Sequence, residues 1–256
     1  SNYTTTNGFT TVSSPVLTQV TAVSTPTNVT TPNYTFSSDV AGTISYGGSC
    51  SSSTTTATTD NNTITLNTLS DGTYSNCTIT VTSSIVSSTL NINTFIIDAT
   101  PPTISSTSPT GSAVNIAVGD GISVTFSEEM NTSSISTNFS NTSCSGTLRV
   151  SSDNFSNCVQ MNSSPSASDS KQVFTINPSS ILSNSTTYKV LVTTGVEDNV
   201  TNNLATEYTF EFTTKSWTVQ HHFASSDLGQ DLTVDESGNI VIASSYIIQG
   251  DWSIMT

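Results

Sequence analysis

The four cysteines, Cys50, Cys77, Cys144 and Cys158, are the residues whose type and spacing most directly suggest chemistry. None belongs to a C-x-x-C pair and both histidines lie far along the chain, so a zinc site is not expected. Two cysteines fall in each half of the sequence, which predicts bridges Cys50–Cys77 and Cys144–Cys158. Four free, buried thiols are the alternative. Disulfides form in oxidising compartments, so the predicted pairing indicates an extracellular protein.

The histidines, His221 and His222, are adjacent. Neighbouring residues on a strand point to opposite faces, so these side chains cannot easily converge on one metal ion or substrate. A strand or linker pair at a domain joint is the preferred interpretation. Serine is abundant, but the sequence has no G-x-S-x-G motif and no histidine before residue 221 to act as its base. We therefore expect no catalytic residues and no enzymatic activity.

Several acidic residues near the predicted domain joints have the chemistry to bind calcium, which takes about six to eight oxygen ligands. They are Asp98, Asp120, Glu128, Glu129 and Asp198. The sequence has no dense D-x-D-x-D run, so a solvated acidic surface is the favoured alternative. We expect no cofactor, with calcium left open as a ligand of these residues.

The charge of the chain excludes two classes of partner. The formal net charge is −14, with four basic residues against 18 acidic ones. Nucleic acids and anionic membranes attract clustered Lys and Arg, which this sequence lacks. The sequence also contains no apolar run of about 18 residues, so we expect no membrane insertion.

The composition predicts an all-β fold. Serine and threonine fill 97 of 256 positions, and both are poor residues for the interior of helices. Apolar residues arrive in short runs that alternate with polar ones, as in the stretch 208–212, Tyr-Thr-Phe-Glu-Phe. Alternation gives a strand one face to bury and one face to leave in water. The chain is therefore predicted to form thin, two-layered domains.

Strand-like runs recur about every eight to twelve residues, as in β-sandwiches. The first series comprises 16–20, 33–36, 42–46, 63–67, 77–82 and 90–97. The second comprises 121–126, 146–150, 172–176, 187–193 and 207–213.

The segment Asp98-Ala99-Thr100-Pro101-Pro102 separates the two series, because prolines lack the donors that a ladder needs. We predict an arm or linker at 1–14 without a partner strand in its own domain, a first domain at 15–100, a second at 101–215 and a further segment at 216–256. The polar stretch 162–170 is predicted to be an exposed loop inside the second domain.

The second domain resembles the bacterial surface-layer Ig-like domain. The resemblance rests on the opening Ser108-Pro109-Thr110-Gly111, the strand with its acidic sequel at 122–131, and the closing strands at 187–192 and 208–214. That family has a D-x-x-G-N turn near its end. Here the turn is Asp198-Asn199-Val200-Thr201-Asn202-Asn203, with Asn202 taken as the replacement of glycine, and asparagine tolerates a left-handed backbone.

Two further segments carry resemblances. Residues 15–100 resemble a second, related class of bacterial Ig-like repeat, through the phrases at 26–36, 69–74 and 77–81. Its acidic turn before the last strand is replaced by the run at 83–88, Ser-Ser-Ile-Val-Ser-Ser. Residues 231–243 look like one blade of a bacterial β-propeller, with Ser237-Gly238-Asn239 as the reversal between two strands. A single blade cannot close a ring, so the chain is expected to be a piece of a longer protein or to pack this hairpin on a neighbour.

The sequence therefore predicts two tandem, disulfide-bonded Ig-like β-sandwiches followed by a β-hairpin or blade-like segment. The resemblances imply an extracellular or cell-surface structural protein, whose domains serve as rigid spacers or as subunits of a stalk, adhesin arm or filament. Expected partners are copies of the same chain, joined head to tail by strand exchange, and a surface glycan or protein. The alternative is a secreted enzyme or carbohydrate-binding protein in which these domains present a C-terminal propeller.

Overall fold

The computed structural model describes residues 3–6, 9–216, 230–234, 240–248 and 251–255. Within these residues, the regular structure is strand apart from one 3-10 turn at Thr132–Ser134. The predicted all-β fold class is confirmed. No helix in the described part of the chain has the length and the apolar character needed to cross a membrane.

The chain folds into two compact units. Unit 1 comprises Ser1–Pro102 together with Glu197–Ala205, and unit 2 comprises Thr103–Val196 together with Thr206–Thr256. The segment Glu197–Ala205 is thus separated in sequence from the rest of unit 1 and connects two strands of unit 2.

The six runs that the alternation predicts in the first half of the chain all contain strand, but the strands at Tyr3–Thr6, Phe9–Val12, Thr56–Ala57 and Gly72–Tyr74 lie outside them. Unit 1 contains eleven described strands. In chain order they are β1 (Tyr3–Thr6), β2 (Phe9–Val12), β3 (Leu17–Thr21), β4 (Asn33–Ser38), β5 (Gly42–Gly47), β6 (Thr56–Ala57), β7 (Asp60–Thr65), β8 (Gly72–Tyr74), β9 (Thr78–Ser83), β10 (Val86–Asn91) and β11 (Phe95–Ile97).

These strands form a sandwich. One sheet has the order β3-β4-β7 and the other has the order β10-β9-β5-β6, while β8 and β11 pair separately. Alternate residues of the two sheets meet in a single core, to which Tyr34, Phe36 and Ile64 contribute from one side and Ile79 and Val81 from the other. The opposite faces carry hydroxyl and amide side chains. The period of two in the sequence therefore determines which face of each strand is buried.

Unit 2 has the second series of strands. They are β12 (Ile104–Ser108), β13 (Ala113–Ile116), β14 (Ile122–Phe126), β15 (Leu148–Ser151), β16 (Ser166–Ser168), β17 (Val173–Ile176), β18 (Thr187–Val192), β19 (Tyr208–Thr214), β20 (Gln230–Val234), β21 (Ile240–Ile248) and β22 (Asp251–Met255).

Two four-stranded sheets make up the main part of unit 2, with the orders β12-β14-β17-β16 and β13-β19-β18-β15. Each sheet buries one face. Aromatic pairs stand on these faces: the rings of Phe126 and Phe174 meet edge to face with centroids 5.9 Å apart, and those of Tyr188 and Phe212 stack at 5.9 Å. Such aromatic pairs add to the stability that burial alone provides.

Three expectations about individual segments differ from the structure. The predicted strand at 90–97 is two strands, β10 and β11, which pair with different neighbours. The predicted loop at 162–170 is exposed, but its residues Ser166–Ser168 form β16 and pair with β17. The arm at 1–14 was expected to lack a partner strand, whereas β1 pairs with β2. Asn7-Gly8, a strong hairpin signal, stands between these two strands in the sequence.

The strands of the predicted C-terminal hairpin are present. β20 pairs with β21 and β21 pairs with β22, both antiparallel, in a three-stranded sheet. The predicted reversal at Ser237-Gly238-Asn239 lies outside the described residues.

Candidate functional site

The cysteines form two disulfides, Cys50–Cys77 and Cys144–Cys158, with Cα–Cα distances of 5.2 and 4.9 Å. The first closes the end of the β5–β9 ladder, one residue before Thr78 and three after Gly47, which are paired in register. Gly48 between them has φ +72°, and a Cβ there would lie 2.0 Å from the Asn76 carbonyl oxygen. Only glycine fits this approach. All four sulfurs are bonded, so none is a thiolate nucleophile or metal ligand.

Among the acidic residues singled out above, Asp198 is the one that is buried, and its carboxylate organises a turn of unit 1. One oxygen, Oδ1, accepts hydrogen bonds from the backbone N–H groups of Val200 and Asn202, both at 2.8 Å. The other, Oδ2, accepts from Asn202 Nδ2 at 2.8 Å. Asparagine and aspartate side chains favour turns because they bind their own backbone in this way.

The same turn is joined to the segment that follows β11. Asn202 Nδ2 also donates to the carbonyl oxygens of Asp98, at 2.9 Å, and Thr100, at 3.4 Å. Asn28 Nδ2 donates to Thr201 Oγ1 at 3.4 Å. Side-chain hydrogen bonds from Asn202 and from Asn28 therefore join the Asp198 turn to the rest of unit 1.

The left-handed residue of this turn is Thr201, with φ +69°, and Asn202 does not have a positive φ. The prediction that Asn202 takes the place of the family's glycine is wrong by one position. Counting D-x-x-G from Asp198 leads to Thr201, a β-branched residue for which the left-handed region is unfavourable.

Three carboxylates lie close together beside this turn in unit 1. Oxygens of Asp98 and Asp198 lie within 4.8 Å of one another. The third, Asp71, accepts hydrogen bonds from the Ala99 backbone N–H, at 2.9 Å, and from the Thr100 hydroxyl. Nothing in the sequence pointed to Asp71, because it is 27 residues from Asp98 and only the fold brings the two together.

The pKa values of Asp98 and Asp71 are shifted in opposite directions. The pKa of Asp98 is raised, chiefly by burial. The hydrogen bond from the Thr100 N–H lowers this pKa, and the nearby charges of Asp198 and Asp71 raise it. The pKa of Asp71 is lowered, first by the Thr100 hydroxyl and then by the Ala99 N–H. Hydrogen bonds to a carboxylate favour its charged form, whereas burial and like charges disfavour it.

Calcium binding by these carboxylates stays a prediction. Both oxygens of Asp198 are already engaged by the turn, and Asp71 binds backbone and hydroxyl groups. Within unit 1, the bonds from Asn202 to Asp98 and Thr100 join the turn to the segment after β11 as a structural clasp. The remaining candidates belong to unit 2: Asp120 and Glu129 are exposed, Glu128 is half-buried, and Glu129 Oε1 lies 2.8 Å from Lys171 Nζ.

Unit 2 carries an open concavity of about 360 Å³ where β15 ends and β18 begins. Six residues with polar side chains line it: Ser151, Ser152, Asp153, Asn154, Thr187 and Lys189. Hydrogen bonds from the backbone and side chain of Asn157, then from Ser151, lower the pKa of Asp153 to about 2. A carboxylate with this pKa is ionised at neutral pH. No sequence pattern indicates this concavity, because its residues are common types without a motif.

The histidine pair, His221 and His222, lies outside the described residues. The structure therefore neither assembles nor separates a site around it.

Residues 98–214 match the family model of the bacterial Ig-like domain. This match confirms the bacterial Ig-like resemblance predicted for the second domain. It includes the segment Glu197–Ala205, which folds with unit 1. No curated protein matches the chain.

Solved structures with some similarity include bacterial S-layer proteins. The N-terminal part of the S-layer protein SbsC is 18% identical, at a TM-score of 0.33, over 60% of this chain and 37% of that one. The S-layer protein rSbsC(31-844) is 20% identical, at a TM-score of 0.33, over 60% of this chain and 22% of that one. A chimeric titin Z1Z2 carrying an exogenous decorin peptide is 12% identical, at a TM-score of 0.29, over 79% and 97%. The chain thus spans well under half of either S-layer structure.

Proposed function

We propose that this chain is an extracellular, cell-surface structural protein whose Ig-like units act as rigid spacers within a stalk or filament. The match of residues 98–214 to the bacterial Ig-like domain supports a structural role in a bacterial protein. The two disulfides support an oxidising compartment outside the cytoplasm. The resemblances of residues 15–100 to a second Ig-like class and of 231–243 to a propeller blade stay predictions.

The observation that carries the proposal is the placement of Glu197–Ala205. Domains joined by one linker are expected to move relative to one another. Here the chain passes between the units three times, after Pro102, after Val196 and after Ala205. Each additional covalent passage removes freedom that a single linker leaves. A joint of this kind suits a spacer that transmits position or force.

Pairs of spin labels test this rigidity in the full chain. One label is placed at Ser45 on β5 and the other at Thr209 on β19, both exposed, through non-cysteine chemistry that leaves the disulfides intact. Pulsed dipolar spectroscopy is expected to give a single narrow distance distribution. A broad distribution in the unaltered protein would contradict the spacer function.

A pair of variants identifies the source of the rigidity. Asn202→Ala removes the side chain that holds the Asp198 turn to Asp98 and Thr100, and it is expected to broaden the distribution. Asn199→Ala changes an exposed residue of the same turn and is expected to leave the distribution unchanged. If Asn202→Ala leaves it narrow, the returning segment is not what restrains the joint.

Self-association of the chain head to tail is the finer form of this proposal. β20 and β22 are the outer strands of the described three-stranded sheet, and an outer strand can accept a further strand from another chain. Sedimentation of the full chain is compared with that of chains lacking residues 1–14 or 216–256. Loss of assembly on deleting either segment supports strand exchange. Equal assembly of all three, or a full chain that is monomeric at high concentration, contradicts it.

A further inference from the structure

The polar concavity of unit 2 contains one of the chain's four basic side chains. Lys189 stands on β18, directly across the ladder from Glu211 on β19. Opposite charges in such positions ordinarily pair. Instead, Lys189 Nζ donates to Asn154 Oδ1 at 3.1 Å, across the concavity. The cation is therefore directed at the concavity and at a neutral amide oxygen.

The pairing of Lys189 with the neutral Asn154 amide is unusual in a chain so rich in carboxylates. The chain has 18 acidic residues and four basic ones, so carboxylates to pair with are plentiful. Lys171 makes such a pair, with Glu129 at 2.8 Å. No described carboxylate forms an ion pair with Lys189. Its ammonium group has three N–H donors, and the single bond to Asn154 leaves two of them for another acceptor.

The loop that presents Asn154 is held firmly. Ser151 is fully buried, and its Oγ accepts from the backbone N–H groups of Asp153 and Phe155, at 3.1 and 2.9 Å. It also lies 2.7 Å from the Asn157 carbonyl oxygen. Asn154 and Phe155 both have left-handed backbones, with φ +58° and +64°. Consecutive non-glycine residues in this region are unfavourable and persist only where the surroundings impose them, often at binding sites.

Asp153 gives the lining a negative pole, and Lys189 gives it a positive one. Asp153 Oδ1 accepts from the Asn157 backbone N–H at 2.9 Å, and Oδ2 accepts from Asn157 Nδ2 at 2.8 Å. Asp153 and Lys189 are thus each fixed by neutral groups. Ser152 and Thr187 also line the concavity. A ligand that fits must bring an anion to Lys189 and a hydrogen-bond donor to Asp153.

We propose that this concavity binds an acidic sugar, whose carboxylate lies on Lys189 and whose ring hydroxyls bind Asp153, Asn154 and the neighbouring serine and threonine. The volume of about 360 Å³ lies within the usual range of small-molecule sites. Uronic acids carry a carboxylate and several hydroxyls on one small ring, which matches both poles. This gives unit 2 a glycan-binding activity that the spacer function does not require.

Titration calorimetry and NMR shifts on the full chain test the proposal, with glucuronic acid and a galacturonic acid trisaccharide as probes. Lys189→Gln is expected to weaken binding by about 10- to 100-fold, because it removes a charge-assisted hydrogen bond. Lys189→Arg keeps the charge and is expected to retain most of the affinity. Lys171→Gln removes the same charge at the Glu129 pair and is expected to change binding less than about twofold, the residual effect of a distant, screened charge.

Comparison ligands separate an acidic-sugar site from other sites. Neutral galactose oligosaccharides are expected to bind much more weakly than the uronic acids. Binding of the trisaccharide alone identifies a polymeric glycan as the source, and equal binding of free glucuronic acid identifies a single-sugar site. The proposal is overturned if neither uronic acid binds, if Lys189→Gln binds as well as the unaltered chain, or if acetate or glycine competes equally with the uronic acids. Melting temperatures of the variants establish that each is folded.

Discussion

The left-handed threonine at position 201 is the most costly backbone choice in the Asp198 turn. A left-handed conformation costs an ordinary residue roughly 1–2 kcal/mol, more than the roughly 0.5–1 kcal/mol of extra chain entropy that glycine loses on folding. Thr201→Gly is therefore expected to stabilise the protein by about 0.5 kcal/mol, after loss of the long Asn28–Thr201 bond. Guanidinium unfolding of the full chain measures the change.

The neighbouring exposed residue Asn199 provides the matched control, because its backbone does not have a positive φ. Asn199→Gly gains nothing from relief of strain and is expected to destabilise slightly. If both glycine variants change stability in the same direction, strain at Thr201 is not the cause.

The carboxylates beside this turn predict a dependence on pH. Since the pKa of Asp98 is raised by folding, its ionisation costs stability as the pH rises from the unfolded pKa through the folded one. Asp98→Asn is therefore expected to raise the melting temperature at pH 7, by the equivalent of less than about 1 kcal/mol, and to have little effect at pH 3. The amide oxygen of asparagine can still accept the Thr100 N–H. Thermal unfolding followed by circular dichroism measures both values.

Asp71→Asn is the control of opposite sign. The pKa of Asp71 is lowered by folding, so its charge contributes stability at neutral pH that is lost as the pH falls through the lowered pKa. Asp71→Asn is expected to lower the melting temperature at pH 7. If both substitutions raise it, general repulsion in the acidic chain determines the outcome rather than these hydrogen bonds.

At the residue scale, the sequence identified some site residues and could not identify others. Asp98 and Asp198 were predictable because they stand beside the proline joint and in a family turn. Their roles were not, because they depend on Asn202 and Asp71, which only the fold brings near. The concavity also could not be predicted from the sequence, because Lys189 and Asn154 are 35 residues apart. Only the pairing of β15 with β18 brings them together.

At the scale of elements, alternation located most strands within a few residues. It does so because burial of one face and solvation of the other leave a direct trace in the sequence. It failed where that trace is weak. β16 is exposed on all three residues and pairs with β17 without burying a side chain. β10 and β11 were merged because the apolar residues of 90–97 continue across the break between them.

The disulfides are expected to stabilise the elements that they close. In the loop-entropy description, the Cys50–Cys77 bridge contributes about 3.5 kcal/mol and the Cys144–Cys158 bridge about 3 kcal/mol. The double variant Cys50→Ala/Cys77→Ala should therefore expose the amides of β5 and β9 to faster hydrogen exchange. Cys144→Ala/Cys158→Ala serves as its counterpart and should act on β15 and the loops around it. Equal effects of both variants on both regions would show that the bridges do not act locally.

For the whole molecule, the most consequential feature is the return of Glu197–Ala205 to unit 1, which no sequence pattern indicates. Composition and the Asp98–Pro102 segment indicate a boundary between two sandwiches, and unit 1 does end its first segment at Pro102. Two hydrogen bonds from Asn202, to the carbonyl oxygens of Asp98 and Thr100, and one from Asn28 to Thr201 join Glu197–Ala205 to the rest of unit 1, and no sequence pattern marks these asparagines. A family match over 98–214 describes one domain in sequence, whereas the fold assigns part of it to the other unit.

This arrangement predicts that the two units do not open independently. β18 and β19 flank the returning segment and belong to unit 2, so local unfolding of these strands should release the Asp198 turn from Asp98 and Thr100 in unit 1. Val190→Ala truncates a fully buried side chain of β18 and is expected to cost about 2 kcal/mol. Hydrogen exchange should then quicken both in β18 and at the amides of Val200 and Asn202, which donate to Asp198 in the turn. Ile181→Ala, at a side chain of unit 2 that is 78% exposed, is expected to change neither region. Faster exchange in β18 with unchanged exchange at Val200 and Asn202 would show that the Asp198 turn stays in place while unit 2 opens, and coupling through the returning segment would be wrong.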